Sequence, residues 1–228
     1  MAIVKKNVIG TISGRVGNYI YRTRNGKLVK YRRPSNQKVS RSPAAESARK
    51  DFSMVVRFAK CINGLPHLKE IWKQAKVPGI THYQKMIKLN SQYAKQTGIS
   101  IKNVITPPGI AFDIDELILT PSGISFIVKA DSLKLKKLFT NPSLIHLVLY
   151  FYSPKVRSKQ AYNFCGMTVQ NDHKHQRDIT VFNVNISEEI ASSLKSYKHV
   201  LIFISLSLLR PENEKVYWTS TFSKVIAI

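Results

Sequence analysis

Two periodicities divide the 228-residue chain. In the first half apolar residues recur at helical spacing; in the second they alternate or run together, as in strands. Between residues 42 and 63, Ala44, Ala48, Phe52, Val55, Val56 and Ala59 fall on one face of a helix. Ser42 is its expected N-cap, Pro43 its first residue and Glu46 its capping-box carboxylate. Asn63-Gly64 stops it, and Pro66 blocks continuation. A second helix is predicted over about 66–76, with Leu68, Ile71, Trp72 and Ala75 facing inward. A third is predicted over about 81–96, with Tyr83, Met86, Ile87 and Tyr93 as its core positions. Thr106-Pro107-Pro108-Gly109 is the strongest break in the chain.

Beyond that break strands are predicted over 116–119, 124–130, 144–152, 162–169, 179–184, 198–208 and 216–226. Pro121-Ser122-Gly123 and Asn141-Pro142 supply turns, and residues 187–196 read as a short helical turn. The run HVLIFISLSLL at 199–209 is too short to span a bilayer and suits a buried strand. Seven short strands at this spacing point to an immunoglobulin-like β-sandwich. The expected class is α+β, with a basic hairpin and helical region over 1–106 and the sandwich over 107–228.

Residues 10–33, GTISGRVGNYIYRTRNGKLVKYRR, show a third pattern. Tyr19, Ile20 and Tyr21, then Leu28, Val29 and Tyr31, have strand character, and Asn25-Gly26 between them signals a two-residue hairpin. Tyr19, Tyr21 and Tyr31 are expected on one face, packed inward. Gly10, Gly14 and Gly17 allow positive φ, bending or close backbone approach. Ile3, Val4, Val8 and Ile9 suggest a short leading strand, and residues 34–42 a loop.

Charge changes the picture most. The formal net charge is +23, far beyond what solubility needs, while 43% hydrophobic content suits a folded chain. Residues 1–106 hold 22 Lys and Arg against three acids; residues 107–228 hold 14 against 10. Such an excess favours a polyanion as partner. Arg15, Arg22, Arg24, Lys27, Lys30, Arg32, Arg33, Lys38 and Arg41 are the expected phosphate contacts, because no acid lies among them.

Other chemistry is weakly represented. The glycines lack the Gly-Lys-Ser/Thr ending of a phosphate loop. His173 and His175, with Asp172, read as a solvated turn rather than a metal site, and Asp113, Asp115 and Glu116 lack the spacing of a calcium loop. No GxSxG nucleophile setting occurs, and the acid-poor first half does not suit two-metal nuclease chemistry. No cofactor is expected. Cys61 and Cys165 lack CxxC neighbours and read as reduced thiols, suiting the cytoplasm or a virion interior. The N-terminus lacks a signal-peptide core, and no membrane partner is expected.

The combination Gly10, Ser13, Gly14, Gly17, Asn18, then Asn25-Gly26-Lys27, Arg33-Pro34 and a helix with Arg49 and Phe52 resembles an uncharacterised protein family of Bacteroidota. Similar N-terminal segments occur in phage-encoded proteins. The resemblance implies the C-terminal sandwich and a mobile-element or virion setting, and it carries over no catalytic residue. The expected function is therefore non-enzymatic: DNA or RNA bound through phosphates with little sequence preference. The alternative is a structural component of a virion or other large particle. It would use the hairpin for β-augmentation and the sandwich for protein contacts or self-association.

Overall fold

The computed structural model describes residues 2–3, 13–24, 26–33, 40–111, 113–129, 143–155, 160–171, 179–208 and 216–228. The fold is α+β, and 28% of the described residues are helical and 43% in strands. It forms two compact units, Met1–Ala45 and Glu46–Ile228. The expected boundary at 106/107 thus falls inside the second unit.

The first unit is a four-stranded antiparallel sheet of β1 (Ala2–Ile3), β2 (Gly14–Val16), β3 (Tyr19–Arg24) and β4 (Lys27–Arg32), in the order β1-β4-β3-β2. Arg24 pairs with Lys27, so the β3–β4 turn has two residues; Asn25 lies outside the described residues, and Gly26 has φ +74°. A second two-residue turn, Gly17-Asn18, joins β2 to β3, with Gly17 at φ +57°. The amide of Arg33 donates to the Asn18 carbonyl at 2.8 Å and Arg15 Nε to the Gly17 carbonyl at 3.1 Å. A Cβ added at Gly14, Gly17 or Gly26 would meet no atom within 4 Å. Backbone conformation, and not close approach, therefore calls for glycine in these positions. Gly10 lies outside the described residues, as do Val4, Val8 and Ile9 of the leading strand.

Helix α1 (Pro43–Asn63) begins as expected, with the Ala45 amide donating to Ser42 Oγ at 3.3 Å. Its buried face differs from expectation: Met54, Val55, Phe58, Ala59 and Ile62 point inward, while Ala44 and Ala48 are exposed and Phe52 is 56% exposed. Two apolar stripes share Val55 and Ala59. The one that continues to Ile62 shares a core with Trp72, Val148 and Phe203.

Helix α2 (Pro66–Gln74) buries Leu68, Ile71 and Trp72, as expected. Lys85 Nζ caps its end by donating to the Ala75 carbonyl at 2.6 Å. Helix α3 (His82–Asn90) opens with a capping box: Thr81 Oγ1 accepts from the Gln84 amide, and Gln84 Oε1 from the Thr81 amide. It stops at Asn90 and not near residue 96, because the Asn90 side chain turns to the following loop. Its amide nitrogen donates to the carbonyls of Met86 and Val104, both at 3.0 Å, and its oxygen accepts from the Val104 amide and Asn103 Nδ2. Asn90 and Asn103 are both buried.

Two antiparallel sheets follow. One has the order β11-β10-β7-β8, from β7 (Ser143–Pro154), β8 (Tyr162–Asn171), β10 (Tyr197–Leu208) and β11 (Phe222–Ala227). The other has the order β5-β6-β9, from β5 (Glu116–Leu119), β6 (Gly123–Lys129) and β9 (Ile179–Asn185). Helix α4 (Glu188–Ser196), capped by Ser187, leads from β9 to β10. The last strand starts later than expected, and Trp218 only bridges Ser207.

The four-stranded sheet is the middle of three layers. Ile145, Leu147, Leu149 and Phe151 of β7, with Val200, Ile202 and Ile204 of β10, pack with Phe126 and Phe182 of the three-stranded sheet. On the opposite face Val148, Tyr150, Leu201 and Phe203 pack with Phe58, Ile71 and Trp72 of the helices. Burial on both faces explains why β7 and β10 are nearly unbroken apolar runs.

The Pro-Pro-Gly segment is stitched down and is not a linker. Pro107 is buried, and its carbonyl accepts from Trp218 Nε1 at 3.0 Å. Thr221 Oγ1 accepts from the amides of Ile105 and Thr106 at 2.9 and 3.0 Å. These contacts tie the segment after the helices to the stretch that precedes β11. Among the described residues no helix is long and apolar enough to cross a membrane.

Candidate nucleic-acid interface

The first unit carries 11 Lys and Arg and neither acid nor histidine. In the second unit Glu70 and Lys73 of α2 form an ion pair at 2.8 Å. Within the first unit there is therefore no carboxylate to pair with Arg15, Arg22, Lys27, Lys30, Arg32, Arg33 or Arg41. All are exposed except Lys30, which is half-buried. Arg24 ends β3, its side chain lying outside the described set together with Lys38.

Register decides which of these residues come together. Residues opposite one another share a face of the sheet. Arg15 faces Ile20, Ile20 faces Tyr31, and Arg22 faces Val29, which puts Arg15, Arg22 and Lys27 on the side of Tyr31. Tyr19 faces Arg32 and Tyr21 faces Lys30, which puts both lysine and arginine on the side of Tyr19 and Tyr21. The three tyrosines therefore do not share one face. Nor are they core residues: Tyr19 is 42% exposed, and Tyr21 and Tyr31 are half-buried.

The rings hold cations instead. Lys30 Nζ sits 4.0 Å from the Tyr19 ring centre and 5.7 Å from that of Tyr21; Arg22 Cζ sits 5.0 Å from that of Tyr31. Each pair is worth about 0.5–1 kcal/mol at an exposed site. The rings thus fix positive charge at the sheet surface, on both faces. That arrangement suits phosphate contact, because each ring already has a cation over it. Cation–ring spacing was legible in the alternation of basic and aromatic residues, but its division between two faces needed the register.

The second unit adds a pair that the sequence reading missed. Arg57 Cζ lies 5.3 Å from the Tyr162 ring centre, beside Lys60, at a shallow cavity of about 400 Å³. The signal was present in α1, where Arg57 and Lys60 are three apart in an acid-poor helix.

Other candidate chemistry is quiet. Cys165 is buried and Cys61 half-buried, both as free thiols. Burial, with Cys165 and Glu189 nearby, pushes Cys61 up to about 12; burial and Glu189 push Cys165 up to about 11. Such thiols stay protonated and are poor nucleophiles. Asp113 Oδ1 accepts the Ile114 amide at the approach to β5. Among the described residues no group of three His, Cys, Asp or Glu could hold a metal. The 172–175 cluster lies outside the described residues. No family model matches the chain, and no curated protein matches it.

Proposed function

We propose that this protein is a non-enzymatic nucleic-acid-binding protein that grips phosphates through its N-terminal sheet with little sequence preference. One observation carries the reading: an acid-free, cation-bearing sheet whose tyrosines hold Lys30 and Arg22 against their rings. An acid-free surface of this kind repels itself until a polyanion neutralises it. Each neutralised phosphate releases counterions, so log affinity falls with log salt at a slope of about −0.9 per phosphate on a duplex. Affinity of the full chain for mixed-sequence DNA and RNA, measured across a salt series, is expected to fall steeply. Replacing Arg32 and Arg33 by Gln should make that slope shallower by about two. Absent or salt-independent binding sinks the reading.

The sandwich is read as immunoglobulin-like on its three-on-four antiparallel sheets and the alternation of the chain between them. A second reading, as a structural component of a virion or other large particle, is favoured by β2. Among the described residues this three-residue strand lies at the edge of the sheet, with Val16 56% exposed, and an added strand could extend it. That reading requires a defined oligomer that survives nuclease treatment.

A further inference from the structure

We propose that the cavity between α1 and β8 is a nucleotide site, where Arg57 and Lys60 hold the phosphate and Tyr162 and Phe164 form the wall for the base. It lies in the second unit and stands apart from the phosphate grip of the N-terminal sheet. The cavity holds about 400 Å³, inside the range of about 300–1,000 Å³ that small-molecule sites occupy. Of the described residues that line it, two are cations and none is an acid. Arg57 and Lys60 are both exposed and lie three apart on α1, so they share one side of the helix. Cys61 also lines the cavity, and its raised pKa keeps it a neutral thiol.

The parts are held in place before a ligand arrives. Arg57 Cζ lies over the Tyr162 ring, 5.3 Å from its centre. A guanidinium held this way keeps the planar N–H donors that match a phosphate bidentately. Tyr162 meets Phe164 edge-on, with ring centres 5.7 Å apart at 75°. Phe164 stacks on Tyr150 at 4.9 Å and lies 5.9 Å from Phe58. Both wall rings are half-buried, so they are anchored and still partly open. An inorganic anion would use the cations alone, whereas a nucleotide also uses the aromatic wall. The carbonyls at the end of α1 would repel an anion, but they are engaged. The Gly64 amide donates to those of Lys60 and Cys61 at 3.0 and 3.2 Å, and the Leu65 amide to that of Ile62 at 3.1 Å.

The ligand chemistry is shared by a free nucleotide and by one unit of a nucleic-acid strand. The test titrates the full-length protein calorimetrically with adenosine monophosphate, adenosine, inorganic phosphate and hexadeoxyadenylate at one salt concentration. Adenosine monophosphate should bind at least ~10-fold more tightly than adenosine or phosphate, each of which lacks half of the contacts. Arg57→Gln with Lys60→Gln should weaken it at least ~10-fold without moving the thermal midpoint. Arg57→Lys keeps the charge without the fork and should restore affinity only in part. Where the double variant weakens both the mononucleotide and the hexamer, the larger loss identifies the source. Adenosine monophosphate that binds no better than adenosine or phosphate overturns the proposal. So does a double variant that leaves its affinity unchanged, even if the hexamer weakens, because two lost charges weaken any polyanion. Neither failure touches the N-terminal sheet, whose own test is the salt series with Arg32→Gln and Arg33→Gln.

Discussion

His146 is a polar group held in an apolar place. It is fully buried in β7, with Nδ1 3.1 Å from Thr168 Oγ1 and Nε2 2.9 Å from Ser207 Oγ, and the His67 ring 6.3 Å away. Burial, reinforced by His67, drives its pKa from 6.5 down to about 3. The folded state therefore keeps it neutral while the unfolded state takes up a proton below about 6.5. Its contribution is intact above pH 6.5 and is lost as pH falls towards 3, at up to about 1.4 kcal/mol per pH unit. His82, lowered by burial and by Lys69 and Lys73, acts in the same direction. The difference between wild type and His146→Gln isolates the buried residue: between pH 6.5 and 5 the variant should lose much of the slope in unfolding free energy. An unchanged slope would place the proton uptake elsewhere. None of this was legible in the sequence, because the partners of His146 are supplied by β8 and β10, over twenty residues away.

At the scale of elements, period and turn chemistry were largely sufficient. Strand β5 begins and ends where alternation places it, and β10 follows the apolar run closely. The errors occur where tertiary contacts decide. Asn90 ends α3 by bonding to a loop thirteen and fourteen residues on. Helix α1 had two candidate stripes, and only packing could choose between them. That choice has a measurable consequence: Phe58→Ala should cost about 3–5 kcal/mol in denaturant unfolding, because Phe58 packs on Phe203 and Phe164. Phe52→Ser should stay within about 0.5 kcal/mol. Equal losses would restore the stripe inferred from spacing. For the candidate site, basic character and the hairpin were legible, but the sharing of cations between two faces was not, since a one-residue change of register would reverse it.

At the scale of the whole molecule, Pro-Pro-Gly reads as a break by composition, yet it is a seam. A Cβ on Gly109 would lie 2.6 Å from the Trp218 ring and carbonyl. Gly109→Ala should therefore cost about 1–3 kcal/mol. Both tryptophans, Trp72 and Trp218, lie in the second unit. Their fluorescence should report one transition for helices and sandwich together, shifted to lower denaturant in the variant. Two separated transitions would restore a boundary at 106/107. The double-sided burial of β7 also bears on biosynthesis. An apolar twelve-residue strand is an aggregation hazard while either face is bare. Chain order answers half of the hazard, because a ribosome finishes α1, α2 and α3 before β7 emerges, several seconds later at about 5–20 residues per second. The helical side of β7 has its cover waiting. The other side has only β5 and β6 until β9 is made, so that interval is when a nascent chain of this protein most needs a chaperone.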